Sequence, residues 1–178
     1  MTRGTRLGRA IVAALLTAAV AGLPQLLPTA GAQEEEPPRC TRDDISLDFS
    51  LDRSAYAKGR PVRMKLAVEN VSGKACTMRW PYPKYVTFLV YDGDRQIWES
   101  GHCRVYTQNV VEERWEDGHR EVYRGKWRKW KNGTPPLEDH EDCTRGGGRA
   151  GAGRYRARAR FEGAREKLSG YRRFRIKG

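Results

Sequence analysis

The sequence predicts an all-β domain, a sandwich of antiparallel strands. Three observations carry that reading. Apolar and polar residues alternate with a period of two over several short segments, the pattern of half-buried strands. Turns rich in Gly, Asn and Asp separate those segments. Beyond residue 32 no stretch repeats its apolar residues at the helical period of 3.6. Short strands divided by turns bury their apolar faces by stacking as two layers.

The chain opens with Arg3, Arg6 and Arg9, followed by an uncharged run from Ala10 to Leu27 and by the small residues Thr29-Ala30-Gly31-Ala32. This order reads as a secretory signal peptide over residues 1–32, cut after Ala32. A retained membrane anchor is the competing reading, because about 18 apolar residues just span a bilayer. Pro24 and Pro28 interrupt the run, and Gln33 and the acidic triplet Glu34, Glu35 and Glu36 follow at once. Cleavage is therefore expected, with no transmembrane span left afterwards and a secreted location at or beyond the cell envelope. Residues 33–43 then form an acidic, proline-containing linker, and residues 44–178 form the domain.

Within that domain Ile45, Leu47, Phe49 and Leu51 alternate with Ser46, Asp48, Ser50 and Asp52. After a turn-like connection at Tyr56-Ala57-Lys58-Gly59, Val62, Met64, Leu66 and Val68 alternate with Arg63, Lys65, Ala67 and Glu69 until Asn70-Val71-Ser72-Gly73 ends the strand. Tyr85–Tyr91 and Arg95–Glu99 flank Asp92-Gly93-Asp94, the signature of a tight hairpin reversal. Trp98 is expected to cap the core from that hairpin. Glu121–Trp127, Gly153–Phe161 and Tyr171–Ile176 complete the strands, while Asn132–Pro136 and Gly146–Gly153 read as loops.

All four cysteines, Cys40, Cys76, Cys103 and Cys143, lie beyond the expected cleavage site. An even number in an exported chain reads first as a disulfide framework. Of the three possible pairings, Cys40 with Cys76 and Cys103 with Cys143 are preferred. If the first two strands run in opposite directions, the start of one and the end of the next meet at one edge of the sheet. Loops of this length imply about 3 to 4 kcal/mol of stabilisation per bridge in the chain-entropy model. The alternative is a zinc site made of His102, Cys103, His140 and Cys143. The missing Cys-x-x-Cys unit and the oxidising exterior argue against it, and neither a metal nor a cofactor is expected.

The order of these signals resembles the BsuPI domain, a family named for an intracellular proteinase inhibitor. The resemblance rests on Gly59-Arg60-Pro61 before the second strand, on Leu66-Ala67-Val68-Glu69-Asn70-Val71-Ser72-Gly73-Lys74 and on Tyr85-Val86-Thr87-Phe88-Leu89-Val90-Tyr91-Asp92-Gly93. Ile97-Trp98, Trp127 and Gly153-Arg154-Tyr155-Arg156-Ala157 extend it to about residues 44–162. It implies an immunoglobulin-like sandwich and a protein partner such as an extracellular peptidase. No reactive-site motif transfers residue by residue, and an export signal with four cysteines departs from an intracellular founder.

The chain has 34 Lys and Arg against 22 Asp and Glu, a net charge of +12. In the expected mature chain, the excess comes from Arg145–Gly178, with twelve basic residues against Glu162 and Glu166. Arg154, Arg156, Arg158 and Arg160 occupy alternate positions of one strand, so they stand in a row about 7 Å apart. Arg173 and Arg175 widen that row if the last strand pairs beside it. Guanidinium forks suit phosphate, sulfate and carboxylate oxygens, so these six residues are the candidate site for an anionic partner. An alternative function follows, in which the domain holds an anionic cell-envelope polymer. The bland reading of the same stripe is a solvated sheet face.

Other motifs carry less. Lys126-Trp127-Arg128-Lys129-Trp130-Lys131 interleaves cations with indoles that stack on sugars or bases when exposed. Trp127 is expected in the core, however, and nucleic acid is not an expected partner of an exported sandwich. Glu138-Asp139-His140-Glu141-Asp142 reads as an acidic loop, since it lacks the glycine and alternating ligands of a calcium loop. It would serve equally as an internal counter-charge to the arginines. The sequons at Asn70 and Asn132 read as turns. With His102, His119 and His140 the only histidines and no nucleophile motif, no catalytic residues are assigned. The expected protein is an exported, non-enzymatic binding module.

Overall fold

Alternation along Ile45–Leu51 (β1) does produce a strand, with Ile45 and Phe49 buried and Asp48 exposed. The computed structural model describes residues 35–81, 86–102, 109–129 and 148–178. β1 is followed by Ala55–Tyr56 (β2), Val62–Asn70 (β3), Cys76–Pro81 (β4), Val86–Asp92 (β5) and Arg95–Glu99 (β6). Val110–Trp115 (β7), Arg120–Trp127 (β8), Gly153–Phe161 (β9), Lys167–Leu168 (β10) and Arg172–Ile176 (β11) complete the order. No helix occurs among the described residues, and none there is long and apolar enough to cross a membrane.

The strands build an all-β sandwich. One sheet has the order β1-β3-β8, and a larger one has the order β2-β11-β9-β5-β6 with β10 also on β9. β4 and β7 form a separate antiparallel pair. β1 and β3 pair antiparallel from Ile45 opposite Asn70 to Leu51 opposite Met64. That register puts the start of β1 beside the end of β3, and Cys40 is disulfide-bonded to Cys76 just beyond. Cys103 and Cys143, the other expected pair, lie outside the described residues, as do Asn132 and the acidic loop 138–142.

Aromatic side chains join the layers. Phe49 of β1 meets Phe88 of β5 at 6.3 Å between ring centres. Trp127 of β8 meets Tyr155 of β9 at 6.0 Å and Phe174 of β11 at 6.2 Å. Trp80 of β4 stands edge-on to Phe161 of β9 at 4.8 Å. Rings this large bury 150–250 Å² each and dominate a small core (order-of-magnitude values). Trp80, Trp115 and Trp127 are wholly buried. Trp98 packs against Trp127 at 6.2 Å while staying partly exposed, a cap on the core.

Besides the two-residue β10, three elements go beyond the sequence reading. Tyr56 belongs to β2, which runs parallel to the end of β11 with Ala55 opposite Arg175 and Tyr56 opposite Ile176. The turn there is confined to the residues before Val62, where Gly59 takes a positive φ of 80°. The other two elements, β4 and β7, carried no expectation.

Asn70 anchors the end of β3. It is wholly buried, and its Nδ2 donates to the carbonyls of Lys74, Trp115 and Glu116 at 2.8, 3.0 and 3.1 Å. Its Oδ1 accepts from the amide and hydroxyl of Ser72 at 3.0 and 2.8 Å. This carboxamide is thus committed inward, tying β3 to the chain between β7 and β8.

Candidate functional site

β9 runs between β5 and β11 in the larger sheet. Its Tyr155, Ala157, Ala159 and Phe161 are buried, and the intervening arginines take the other face. β11 pairs with it antiparallel, placing Arg173 opposite Arg156 and Arg175 opposite Arg154. Both partners of each rung therefore carry a positive charge, with Cβ atoms about 5 Å apart across the strands. Along each strand the two rungs are about 7 Å apart.

The six arginines meet different fates. Arg160 donates through Nε to Glu162 Oε1 at 2.9 Å, and both side chains are only about a quarter exposed. Arg158 donates to the hydroxyl of Tyr91 at 2.9 Å. Its guanidinium also lies 5.2 Å from the Tyr91 ring centre and 4.7 Å from that of Tyr171. These two are occupied, one by a carboxylate and one by two tyrosine side chains.

Arg156 is held as well, its guanidinium 4.6 Å from the Tyr171 ring centre. It donates from Nη2 to the Gly93 carbonyl at 2.6 Å and to Asp94 Oδ1 at 2.8 Å. Asp94 sits on the β5–β6 turn and is fully exposed. Arg156 Nε is buried with no hydrogen-bond partner. Arg154, Arg173 and Arg175 are exposed, and among the described residues no carboxylate forms an ion pair with them. Together with Ser54 and Gly93, Arg154, Arg156, Arg173 and Arg175 line a cleft of about 610 Å³. Along β9, Arg156 and Arg160 are thus paired with carboxylates, Arg158 keeps its charge against two tyrosine rings, and Arg154 is open, while β11 adds Arg173 and Arg175 opposite Arg156 and Arg154.

Sequence reasoning missed the aromatic partners. Tyr91 and Tyr171 pack edge to face at 5.6 Å, and Arg158 lies against both rings. A signal was present, since Tyr91 ends an apolar strand on an outward position, but only the β5–β9 register reveals it, with Tyr91 opposite Arg156.

Among the described residues the remaining motifs form no site. In Lys126–Lys131, Trp127 is core and Lys129 is buried with its Nζ donating to the Ala57 carbonyl at 2.5 Å. Burial lowers the pKa of that ammonium. Trp130 and Lys131 lie outside the described residues. Of the alternative zinc set, His102 alone is described, and no group of His, Cys, Asp and Glu suited to a metal ion occurs among the described residues.

No curated protein matches the chain. Among solved structures it is similar to a β-glucosidase from Listeria innocua, with 11% identity and a TM-score of 0.41 over 75% of this chain and 16% of the enzyme. It is similar also to a sporulation control protein from Bacillus subtilis, with 11% identity and a TM-score of 0.41 over 76% of this chain and 50% of that one. An alkylpurine DNA glycosylase from Pseudomonas fluorescens shares 7% identity at a TM-score of 0.39, over 76% of this chain and 31% of the glycosylase. The chain thus spans half or less of the length of these proteins. Residues 49–165, most of the described sandwich, match the family described as BsuPI, intracellular proteinase inhibitor, and the chain belongs to that family.

Proposed function

We propose that the chain is an exported, non-catalytic module that binds a protein, in the manner of a proteinase inhibitor acting by contact. The family match over residues 49–165 is the single observation that carries this reading. The bridge between Cys40 and Cys76 supports an oxidising compartment outside the cytoplasm. A peptidase is the partner class that the family description favours, and the export reading makes it an extracellular one. The test titrates the whole oxidised chain against a panel of secreted serine peptidases and passes a culture supernatant over the immobilised chain. Loss of activity at near-stoichiometric inhibitor, with the same peptidase retained on the column, is expected. A panel left fully active and a column that retains no protein would remove the proposal.

A further inference from the structure

The cleft walled by Arg154, Arg156, Arg173 and Arg175 combines features that folding alone does not reward. Like charges directly opposite on neighbouring strands destabilise a sheet, yet two such pairs stand side by side here. Arg156 alone among the four is paired with a carboxylate, that of the fully exposed Asp94. Side chains that repel one another around an open cleft gain stability when an oxyanion enters, because each guanidinium offers a fork of donors matched to two oxygens.

The extent of the free charge selects the kind of anion. A polymer of repeating negative groups profits from a long positive track, but Arg158 and Arg160, the next two positions along β9, are already occupied by Tyr91, Tyr171 and Glu162. At the other end β9 begins at Gly153. Two rungs remain, about 7 Å apart, and alternate side chains of an extended peptide have that same spacing. One carboxylate then falls on each rung. At the second rung the incoming carboxylate replaces Asp94, which acts as a displaceable stand-in.

We propose that this cleft is a two-rung carboxylate site that takes an extended acidic segment of the protein partner, with two Asp or Glu side chains one residue apart. The proposal rests on the protein-binding reading and adds the recognition chemistry. The Arg154–Arg175 rung holds one carboxylate, and the Arg156–Arg173 rung holds the other.

Isothermal titration of the whole oxidised chain tests it with three short peptides: two glutamates separated by one residue, the same composition with the glutamates adjacent, and glutamines in place of both. The first peptide is expected to bind about tenfold more tightly than the second, and the third to show no binding. Replacing Arg154 and Arg175 together by Ser is expected to weaken the first peptide at least tenfold, while Arg160→Ser leaves it within about twofold. Asp94→Asn, which keeps the turn and removes the competing carboxylate, is expected to strengthen it about threefold. Equal binding of the first two peptides would reduce the site to diffuse attraction and overturn the proposal. So would a polyphosphate chain that binds more tightly than the peptide at equal charge, because the cleft would then be a polymer site. If the Arg154 and Arg175 double variant loses the peptide but still inhibits a peptidase at wild-type potency, the cleft is not the partner's contact and only the inhibitor reading survives.

Discussion

Gly125 of β8 lies directly against the ring of Phe88 of β5, so close that a Cβ at position 125 would stand 2.4 Å from Phe88 Cδ2. The two residues belong to different layers, and the missing side chain sets how near the sheets approach. Gly125→Ala is expected to destabilise the domain by about 1–3 kcal/mol through overpacking. Combining it with Phe88→Leu, which retracts the flat ring, is expected to recover part of that loss. Urea midpoints of the two variants check both outcomes.

Asn70 offers a second measurement. Asn70→Ala strands the carbonyls of Trp115 and Glu116 and the amide of Ser72 in a buried setting, and a loss of about 2–4 kcal/mol is expected. Asn70→Asp is expected to cost at least as much, because a carboxylate would face three carbonyl oxygens. Chemical denaturation of the alanine, aspartate and native chains ranks them, and an aspartate variant as stable as the native chain would contradict the assigned hydrogen bonds.

Arg175 faces Arg154 across the strands. Arg175→Thr relieves that repulsion with a side chain suited to a strand, and a gain of up to about 1 kcal/mol is expected at low salt. Because the repulsion is screened, raising the salt concentration should narrow the gap between variant and native thermal midpoints. A variant less stable than the native chain at every ionic strength would show that the rung is not strained.

Asp44 closes the turn after Cys40, its Oδ2 accepting from the amide and hydroxyl of Thr41 at 2.7 Å each. The Thr41 amide first, then the Thr41 hydroxyl, holds its pKa below the ordinary value of 3.8. The folded chain therefore binds this proton less readily than the unfolded chain. The turn's contribution is fully present above about pH 4 and is lost as acid drives the pH through the lowered folded value. The group is largely exposed, so the effect is small. The difference in urea midpoint between the native chain and Asp44→Asn is expected to shrink from pH 7 to pH 3. A difference constant over that range would assign the turn's stability to contacts other than the charge.

Much of the sandwich was legible because each strand that buries one face writes that face into its sequence. Ile45 to Leu51, Val62 to Val68 and Tyr155 to Phe161 are such cases, and the opposite directions of the first two, a condition of the cysteine pairing, are seen in their register. β7 was not legible, since Val110-Val111-Glu112-Glu113-Arg114-Trp115 buries only Trp115 and shows no apolar rhythm. β4 does alternate, with Cys76, Met78 and Trp80 buried, but it is short and ends at Pro81, and so it carried no expectation. β2 is two residues long, too short for any period. At the arginine face the six residues were visible. Which of them stay free was not, because the partners Tyr91 and Asp94 come from a hairpin more than sixty positions away, and the β5–β9 register alone brings them there.

β9 holds the middle of the larger sheet although it is nearly the last strand to be made. Until it arrives, the β5–β6 hairpin has no neighbour on its inner side. Such non-local pairing is slow and late in any folding reaction. A nascent chain emerging amino-terminus first therefore leaves this layer open until β9 follows the hairpin out of the ribosome, and the strand that closes the layer is the one that carries the arginines.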